Sequence, residues 1–398
     1  MTETHADQQR TNDPVRSPDR FLVFGKPTIE QDEIREVVAS MESGWLGTGP
    51  KVHQFENDFA AQAGVPNAVA VSSCTAALHL SMLAAGLEPG DEVITTPMTF
   101  CASVNAILHA GLTPKLVDVD RRTGCIDAAQ LEAAVGPRTR AVLPVHYAGR
   151  ACDMDALLAV KERHGLAMIE DCAHAIETTY KGRRAGTFGD FGCFSFYATK
   201  NITTGEGGMV IAQSEEQLAR IKVLALHGMS KDAWKRYSDE GYKHYQCVEL
   251  GFKYNMMDIQ AAIGLHQLPR VMRWWERRQE IWQRYDAEFA DTPLETPAPP
   301  EPDTIHAYHL YTLLVDEAAC GISRDQFLTA MTRENIGVGV HYLSIPEHPY
   351  YQERFGWRPE DTPAAMEIGR RTLSLPLSPG LSDADVDDVI AAVKKVLG

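Results

Sequence analysis

From about residue 65 to 215 the sequence alternates short apolar runs with helix-like segments, and that alternation constrains the fold more than any other feature. The runs are Ala68–Val71, Glu92–Thr95, Lys115–Val119, Ala141–Val145, Leu166–Ile169, Cys193–Tyr197 and Met209–Ala212. Helical patterns such as Ala76–Ala85 and Asp153–His164 lie between them. Strands apolar on both faces and joined by crossovers predict an α/β fold, a mainly parallel central sheet flanked by helices. In such sheets ligands bind at the carboxyl ends of the strands, so the residues just after each run are the ones to read for chemistry.

Ahead of this block, Glu30–Glu42 reads as a helix with Ile34, Val37, Val38 and Met41 on one stripe. A glycine-rich loop, Gly44 to Pro50, breaks it. Behind the block, Asp258–Ala290 predicts one or two long helices, and a proline-rich joint follows over Thr292–Asp303. The last helix carries its own signals: Ser382 as N-cap, Asp383 and Asp385 in the first turn, Lys394 and Lys395 in the last. Val386, Val389, Ile390 and Val393 form its buried stripe. The expected organisation is a disordered, solvated tail over 1–20, a large ligand-binding domain with an N-terminal arm over 21–275, and a smaller C-terminal α+β domain over 276–398. There is no internal repeat.

Net charge, −16 from 38 basic and 54 acidic residues, argues against a nucleic-acid partner, because phosphate-backbone affinity comes from clustered Lys and Arg. No apolar run approaches the roughly 20 residues of a membrane helix, and the first twenty residues lack the apolar stretch of a signal peptide. The eight cysteines form no CxxC pair and no metal-finger spacing. They read as reduced, mostly buried thiols of a cytoplasmic protein.

Three segments at strand ends carry chemistry. In Val71-Ser72-Ser73-Cys74-Thr75-Ala76, small residues lead from a strand into a helix whose first N–H groups suit a phosphate, although hydroxyls also begin helices as plain caps. In Ile169-Glu170-Asp171-Cys172-Ala173-His174, a carboxylate ends a strand. A pyridinium nitrogen needs such a partner. An N-cap, or a weak metal set of Asp171 and His174 joined by His146, are the alternatives. In Phe194 to Gly208, a buried strand runs into a loop with one lysine, Lys200, and glycines return the chain to the next strand. A lysine beside an apolar wall can have its ammonium pKa lowered, form a Schiff base and shuttle protons, although this segment alone reads as a surface lysine in a glycine-rich loop.

These segments, with others in the same order, resemble the DegT/DnrJ/StrS family of nucleotide-sugar aminotransferases, within the aspartate-aminotransferase-like fold type I of pyridoxal-phosphate enzymes. The likeness runs from about Phe21 to the C-terminus through FGKPTIEQDEI, SGWLGTGPKVHQFE, VSSCTAALHL, GDEVITTPMTF, PVHYAGRACDMDAL, IEDCAHAI, FSFYATKNITTGEGG, GFKYNMMDIQAAIG, GVGVHY and RTLSLPLSPGLSD. The resemblance implies pyridoxal 5'-phosphate, alternating with its pyridoxamine form, as cofactor. It implies that Lys200 carries the Schiff base and moves the proton, that Asp171 pairs with the pyridine nitrogen and that His174 lies near the phenolic oxygen. It further implies that Phe100 stacks on the ring and that Cys74, Thr75 and Ser195 hold the phosphate. Cys74 departs from the Gly or Ala usual in the family, a change that a backbone contact would survive.

The resemblance also implies a homodimer with shared active sites, in which Gly251 to Asn255 reaches the partner's cofactor. Lys253 stands where many relatives have Asn, and a cation suits a phosphate, so Lys253 is favoured over Asn255 for that contact. Trp45, Thr48, His341 and Tyr342 would line the sugar pocket, with ordinary packing as the alternative for each. The expected reaction moves an amino group from L-glutamate to a nucleotide-linked 4-keto-sugar, a TDP- or UDP-4-keto-6-deoxyhexose or a 4-keto-pentose. Amination at C3, an inosose acceptor and a pyridoxamine-phosphate-dependent sugar dehydratase are the alternatives. The dehydratases carry histidine where Lys200 stands. A regulator that binds DNA without turnover lacks any recognisable helix-turn-helix or basic stripe here.

Overall fold

Each apolar run forms a strand in the computed structural model, which describes residues 13–230 and 246–398. The strands are β1 (Ala68–Val71), β2 (Glu92–Thr95), β3 (Thr113–Leu116), β4 (Thr139–Leu143), β5 (Ala167–Asp171), β6 (Phe191–Ser195) and β7 (Gly208–Ala212). They make one seven-stranded sheet in the order β1-β7-β6-β5-β4-β2-β3. β3, β2, β4, β5 and β6 run parallel, and β7 is antiparallel to both β6 and β1. Neighbouring residues of one strand feed opposite faces, as the pleat requires. Val93, Leu143 and Ile169 enter one hydrophobic cluster, while Ile94, Val142 and Met168 enter the other.

The strand expected over Lys115–Val119 is displaced toward Thr113. At Asp118 the chain turns out of the sheet, and this carboxylate accepts the N–H groups of Ala364 and Ala365 at 2.9 and 3.0 Å.

Helices α1 (Gln31–Ser43) and α2 (Pro50–Ala63) precede the sheet, while α3 (Cys74–Ala84) and α4 (Cys101–His109) follow β1 and β2. α3 is apolar around its whole circumference, and Ala77, Leu78, Leu80 and Met82 are fully buried. The predicted Asp258–Ala290 helices appear as α5 (Asp258–Gln267) and α6 (Val271–Phe289). α6 runs unbroken through the boundary expected at 275/276. Its Val271 and Trp274 pack with the large sheet's outer cluster, and its Ile281, Trp282, Tyr285 and Phe289 pack in the C-terminal one. That second cluster is closed by the antiparallel pair β8 (Tyr311–Leu314) and β9 (Thr372–Leu375) and by α7 (Asp383–Leu397). α7 starts on the predicted N-cap Ser382, which forms a capping box with Asp385, and buries Val386, Val389, Ile390 and Val393.

One expectation is corrected, and the direction of one helix stripe is decided. The solvated tail was set at 1–20, yet residues 13–20 pack on the C-terminal unit. Arg16 is buried, and one guanidinium nitrogen bridges Asp385 and Asp388 at 2.7 and 2.6 Å. Two carboxylates one turn apart on α7 offer a guanidinium a paired acceptor that tail composition does not reveal. Residues 1–12 lie outside the described residues. The apolar stripe of α1 faces away from the molecule: Ile34, Val38 and Met41 are 47%, 46% and 61% exposed. The polar side of α1 is the one that packs. Glu33 accepts a 2.7 Å bond from Gln267 and pairs with Arg270, and Glu36 pairs with Lys51 and His266.

All eight cysteines are free. Among the described residues no helix is long and apolar enough to cross a membrane.

Candidate active site

The carboxyl ends of β1, β2, β5 and β6 deliver the expected chemistry to one place. Asp171, the last residue of β5, is buried and forms no ion pair among the described residues. Its Oδ2 accepts the Ser103 hydroxyl at 2.8 Å, and its Oδ1 accepts the Ala173 N–H at 3.1 Å. Burial raises its pKa, while those hydrogen bonds and the Lys200 charge pull the other way. A buried carboxylate held in this way is a suitable partner for a protonated ring nitrogen.

Lys200 sits in the loop that leaves β6, and its backbone N–H closes a turn on Tyr197 at 2.9 Å. Enclosure lowers its ammonium pKa to about 8, against the opposing influence of Cys74 and Asp171. An amine that is partly neutral at physiological pH is what Schiff-base chemistry and proton shuttling need.

β1 ends at Val71, and Ser73 caps α3 by accepting the Ala76 N–H at 3.1 Å. The first N–H groups of α3, at Cys74 and Thr75, are left for an anion. The Cys74 thiol turns inward, 4.0 Å from Asp171 Oδ1 and 3.6 Å from the Cys193 carbonyl, so only its backbone faces that role. Gly208 lies against this helix start. A Cβ there would stand 2.6 Å from the Ser73 carbonyl and 2.7 Å from the Cys74 nitrogen, which explains the glycine that ends the loop. Ser195, at the end of β6, accepts the Tyr197 N–H at 3.4 Å.

His174 is buried, and its two ring nitrogens are engaged. Nδ1 lies 3.3 Å from the Ala148 N–H and Nε2 lies 2.9 Å from the Tyr342 hydroxyl. Burial, then the Lys200 charge, holds its pKa well below the usual histidine range. Phe100, N-cap of α4 and 58% exposed, faces Tyr342 with ring centroids 6.0 Å apart. His341 bonds Ser374 at 2.9 Å and stacks on Phe24.

A second cluster collects Thr48, Lys253 and Asn255. Lys253 Nζ donates to Asn255 Oδ1 at 2.7 Å, Asn255 Nδ2 donates to Thr48 Oγ1 at 2.7 Å, and the Thr48 hydroxyl donates to the Met256 carbonyl at 2.6 Å. Trp45, half-exposed, lies beside Gly49 at the edge of this cluster. The weak metal set dissolves: His146 turns to Glu170 at 3.0 Å rather than to Asp171 and His174. Glu170 also accepts the Gly186 and Gly189 N–H groups at 2.7 and 2.6 Å, as a structural hub does.

Sequence reasoning missed Ser103, which sits one turn beyond Thr99 on α4 and bonds it at 2.7 Å. It also missed a buried chain next to the lysine. Asn201 Nδ2 donates to both Glu177 oxygens at 3.0 and 2.9 Å and to the Ala307 carbonyl at 2.9 Å. Asn201 Oδ1 accepts from His309 Nδ1 at 2.8 Å. The one available signal was Asn201 itself, directly after Lys200, since a polar residue leaving a buried strand needs a partner.

A phosphorylated pyridine aldehyde asks for a carboxylate at its nitrogen, an amine at its aldehyde, an anion cradle and an aromatic wall, and the residues at these strand ends are of the types that fit each. With the sheet order above, the chain is a pyridoxal-phosphate-dependent enzyme of fold type I. Comparison with known proteins narrows this. The sequence matches the DegT/DnrJ/EryC1/StrS aminotransferase family over residues 27–394, and the chain belongs to that family. The spore coat polysaccharide biosynthesis protein SpsC of Bacillus subtilis is 53% identical over 385 residues, covering 96% of this chain and 99% of that protein. Spr1654 of Streptococcus pneumoniae, solved in its PMP form, is 34% identical with a TM-score of 0.87, over 95% of this chain and 98% of that one. DesI, solved in the presence of its TDP-sugar product, is 31% identical with a TM-score of 0.84, over 96% of this chain and 94% of that one. The protein is a pyridoxal-phosphate-dependent sugar aminotransferase.

Proposed function

We propose that the protein moves an amino group from L-glutamate to the keto carbon of a nucleotide-linked 4-keto-sugar, releasing the 4-amino-sugar. The observation that carries the reading is the enclosed amine of Lys200, its ammonium pKa lowered to about 8, within reach of the charge of the buried Asp171, which forms no ion pair among the described residues. The resemblance gives dehydratases of this fold a histidine there, so the lysine favours transamination. When bound, pyridoxal phosphate supplies the electron sink for the substrate's carbanion. Asp171 holds the proton on the pyridine nitrogen, and Ser103 and Ala173 hold Asp171. Lys200 Nζ takes a proton from the donor carbon and returns one to the sugar carbon. Cys74, Thr75 and Ser195 bind the phosphate, Phe100 stacks on the ring, and Trp45, Thr48 and His341 border the sugar.

The working form in this proposal is a homodimer with shared sites. Two features support it: the outward apolar stripe of α1, and the exposed Lys253, positioned through Asn255 and Thr48 as a cation for the partner's phosphate. A TDP-sugar product in the solved DesI structure supports the nucleotide-sugar acceptor.

The test is incubation with L-glutamate and a panel of TDP- and UDP-4-keto-sugars, followed by product masses. The expected outcome is one amino-sugar per accepted substrate with equimolar 2-oxoglutarate, and no product with Lys200→Ala. Amination confined to a 3-keto-sugar or an inosose, or loss of a hydroxyl instead, would replace this reading.

A further inference from the structure

The hydrogen-bond chain at His174 fixes the position of a proton. A backbone N–H only donates, so the Ala148 N–H at 3.3 Å makes His174 Nδ1 an acceptor. The ring is neutral, so its one proton is on Nε2. Nε2–H therefore donates to the Tyr342 oxygen at 2.9 Å, and the phenol's own hydrogen is left for another acceptor. Burial pushes the Tyr342 pKa well up, so that hydrogen stays in place at any working pH. The titratable groups around the phenol are Tyr147, Asp171 and Cys101, while Lys200 and His341 act on His174 and the His309 ring packs 4.3 Å from it.

Topology says which edge of the pocket this hydrogen serves. The phosphate cradle is built from the ends of β1 and β6, on one side of β5 in the sheet order. His174 is tied to Ala148, which follows β4 on the other side of β5. A pyridoxal ring with its nitrogen at Asp171, its aldehyde carbon at Lys200 and its phosphate toward β1 and β6 turns its phenolic oxygen toward the β4 side. We propose that Tyr342, and not His174, donates the hydrogen bond to that phenolic oxygen, with His174 acting as the positioning residue that keeps the tyrosine hydrogen free for it. This assignment rests on the cofactor and on Lys200, not on which sugar is aminated.

The experiment has two readouts, neither of which needs a sugar or glutamate. In cofactor-free protein labelled with 15N-histidine, the His174 signals, assigned by their loss in His174→Gln, should show a protonated Nε2 and a bare Nδ1 at neutral pH. In the cofactor-loaded protein, Tyr342→Phe should raise by about one unit the pH at which the bound cofactor's absorbance changes. A donor on the phenolate oxygen weakens the neighbouring nitrogen's hold on its proton, and a tenfold change in that hold is one unit. A protonated Nδ1, or a Tyr342→Phe absorbance titration that overlays the wild type, would overturn the proposal. Should Tyr342→Phe fail to fold or to bind cofactor, the tautomer measurement on the wild-type chain still decides. Failure of the sugar panel would leave both readouts standing, so the two readings fail separately.

Discussion

Glu177 shows how far a single side chain can be pushed by its surroundings here. It is buried, and burial raises its pKa to about 7, although Arg278 and Asn201 pull it down. A carboxyl raised above its ordinary value of 4.5 favours folding in its protonated form. Its contribution is full below pH 4.5 and is lost as pH rises through about 7. Over that window the loss is on the order of 3 kcal/mol. We expect Glu177→Gln to remove this dependence, so that the difference in melting temperature, variant minus wild type, climbs from pH 5 to about pH 7 and levels off by pH 8. A difference that stays flat across that range would mean that Glu177 does not titrate there. Lys200 and Asp171 were legible from sequence as candidates because strand ends in a parallel sheet fall at the ligand crevice, and a lone lysine and a terminal carboxylate stood at two of them. Ser103 and the Glu177–Asn201–His309 chain were not. Their partners lie 68, 24 and 108 residues away, and only side-chain direction in the folded chain joins them.

At the scale of elements, the junction between β7 and α3 is a tight point of the site. Gly208 has ordinary backbone angles, and its requirement comes from approach: a methyl group would press on the Ser73 carbonyl and the Cys74 nitrogen. Gly208→Ala should therefore push the start of α3 outward. Overpacking of this kind costs about 1–3 kcal/mol, readable as a lower denaturant midpoint at unchanged slope. Cofactor retention should fall with it, measured by equilibrium dialysis. A variant with wild-type midpoint and retention would show that the helix start moves freely. The sequence pattern predicted the existence and type of α1, α3, α5 and α7. It did not predict that α1 turns its apolar side outward, because periodicity defines a stripe and not the direction in which it points. That direction was set by Glu33, Glu36 and their partners Gln267, Arg270, Lys51 and His266.

For the whole molecule, the outward stripe of α1 is the place to test assembly. In the proposed homodimer, the double variant Val38→Glu with Met41→Glu leaves the packing face of α1 untouched and should halve the mass seen by light scattering. Far-ultraviolet circular dichroism should remain that of the wild type. Transamination should fall with it, because Lys253 would no longer reach a partner's phosphate. An unchanged mass at micromolar concentration would move the interface elsewhere.

What the sequence determined alone is the α/β sheet, the residues at its strand ends and the resemblance that names the cofactor, since all three are written in local order along the chain. What only the tertiary structure decided is where each polar group finds its partner: Arg16 on α7, the face α1 presents, and the path from Ala148 through His174 to Tyr342. Hydrogen bonds and ion pairs act over about 3 Å and depend on angle as well as distance. They are settled only after packing has brought remote segments together.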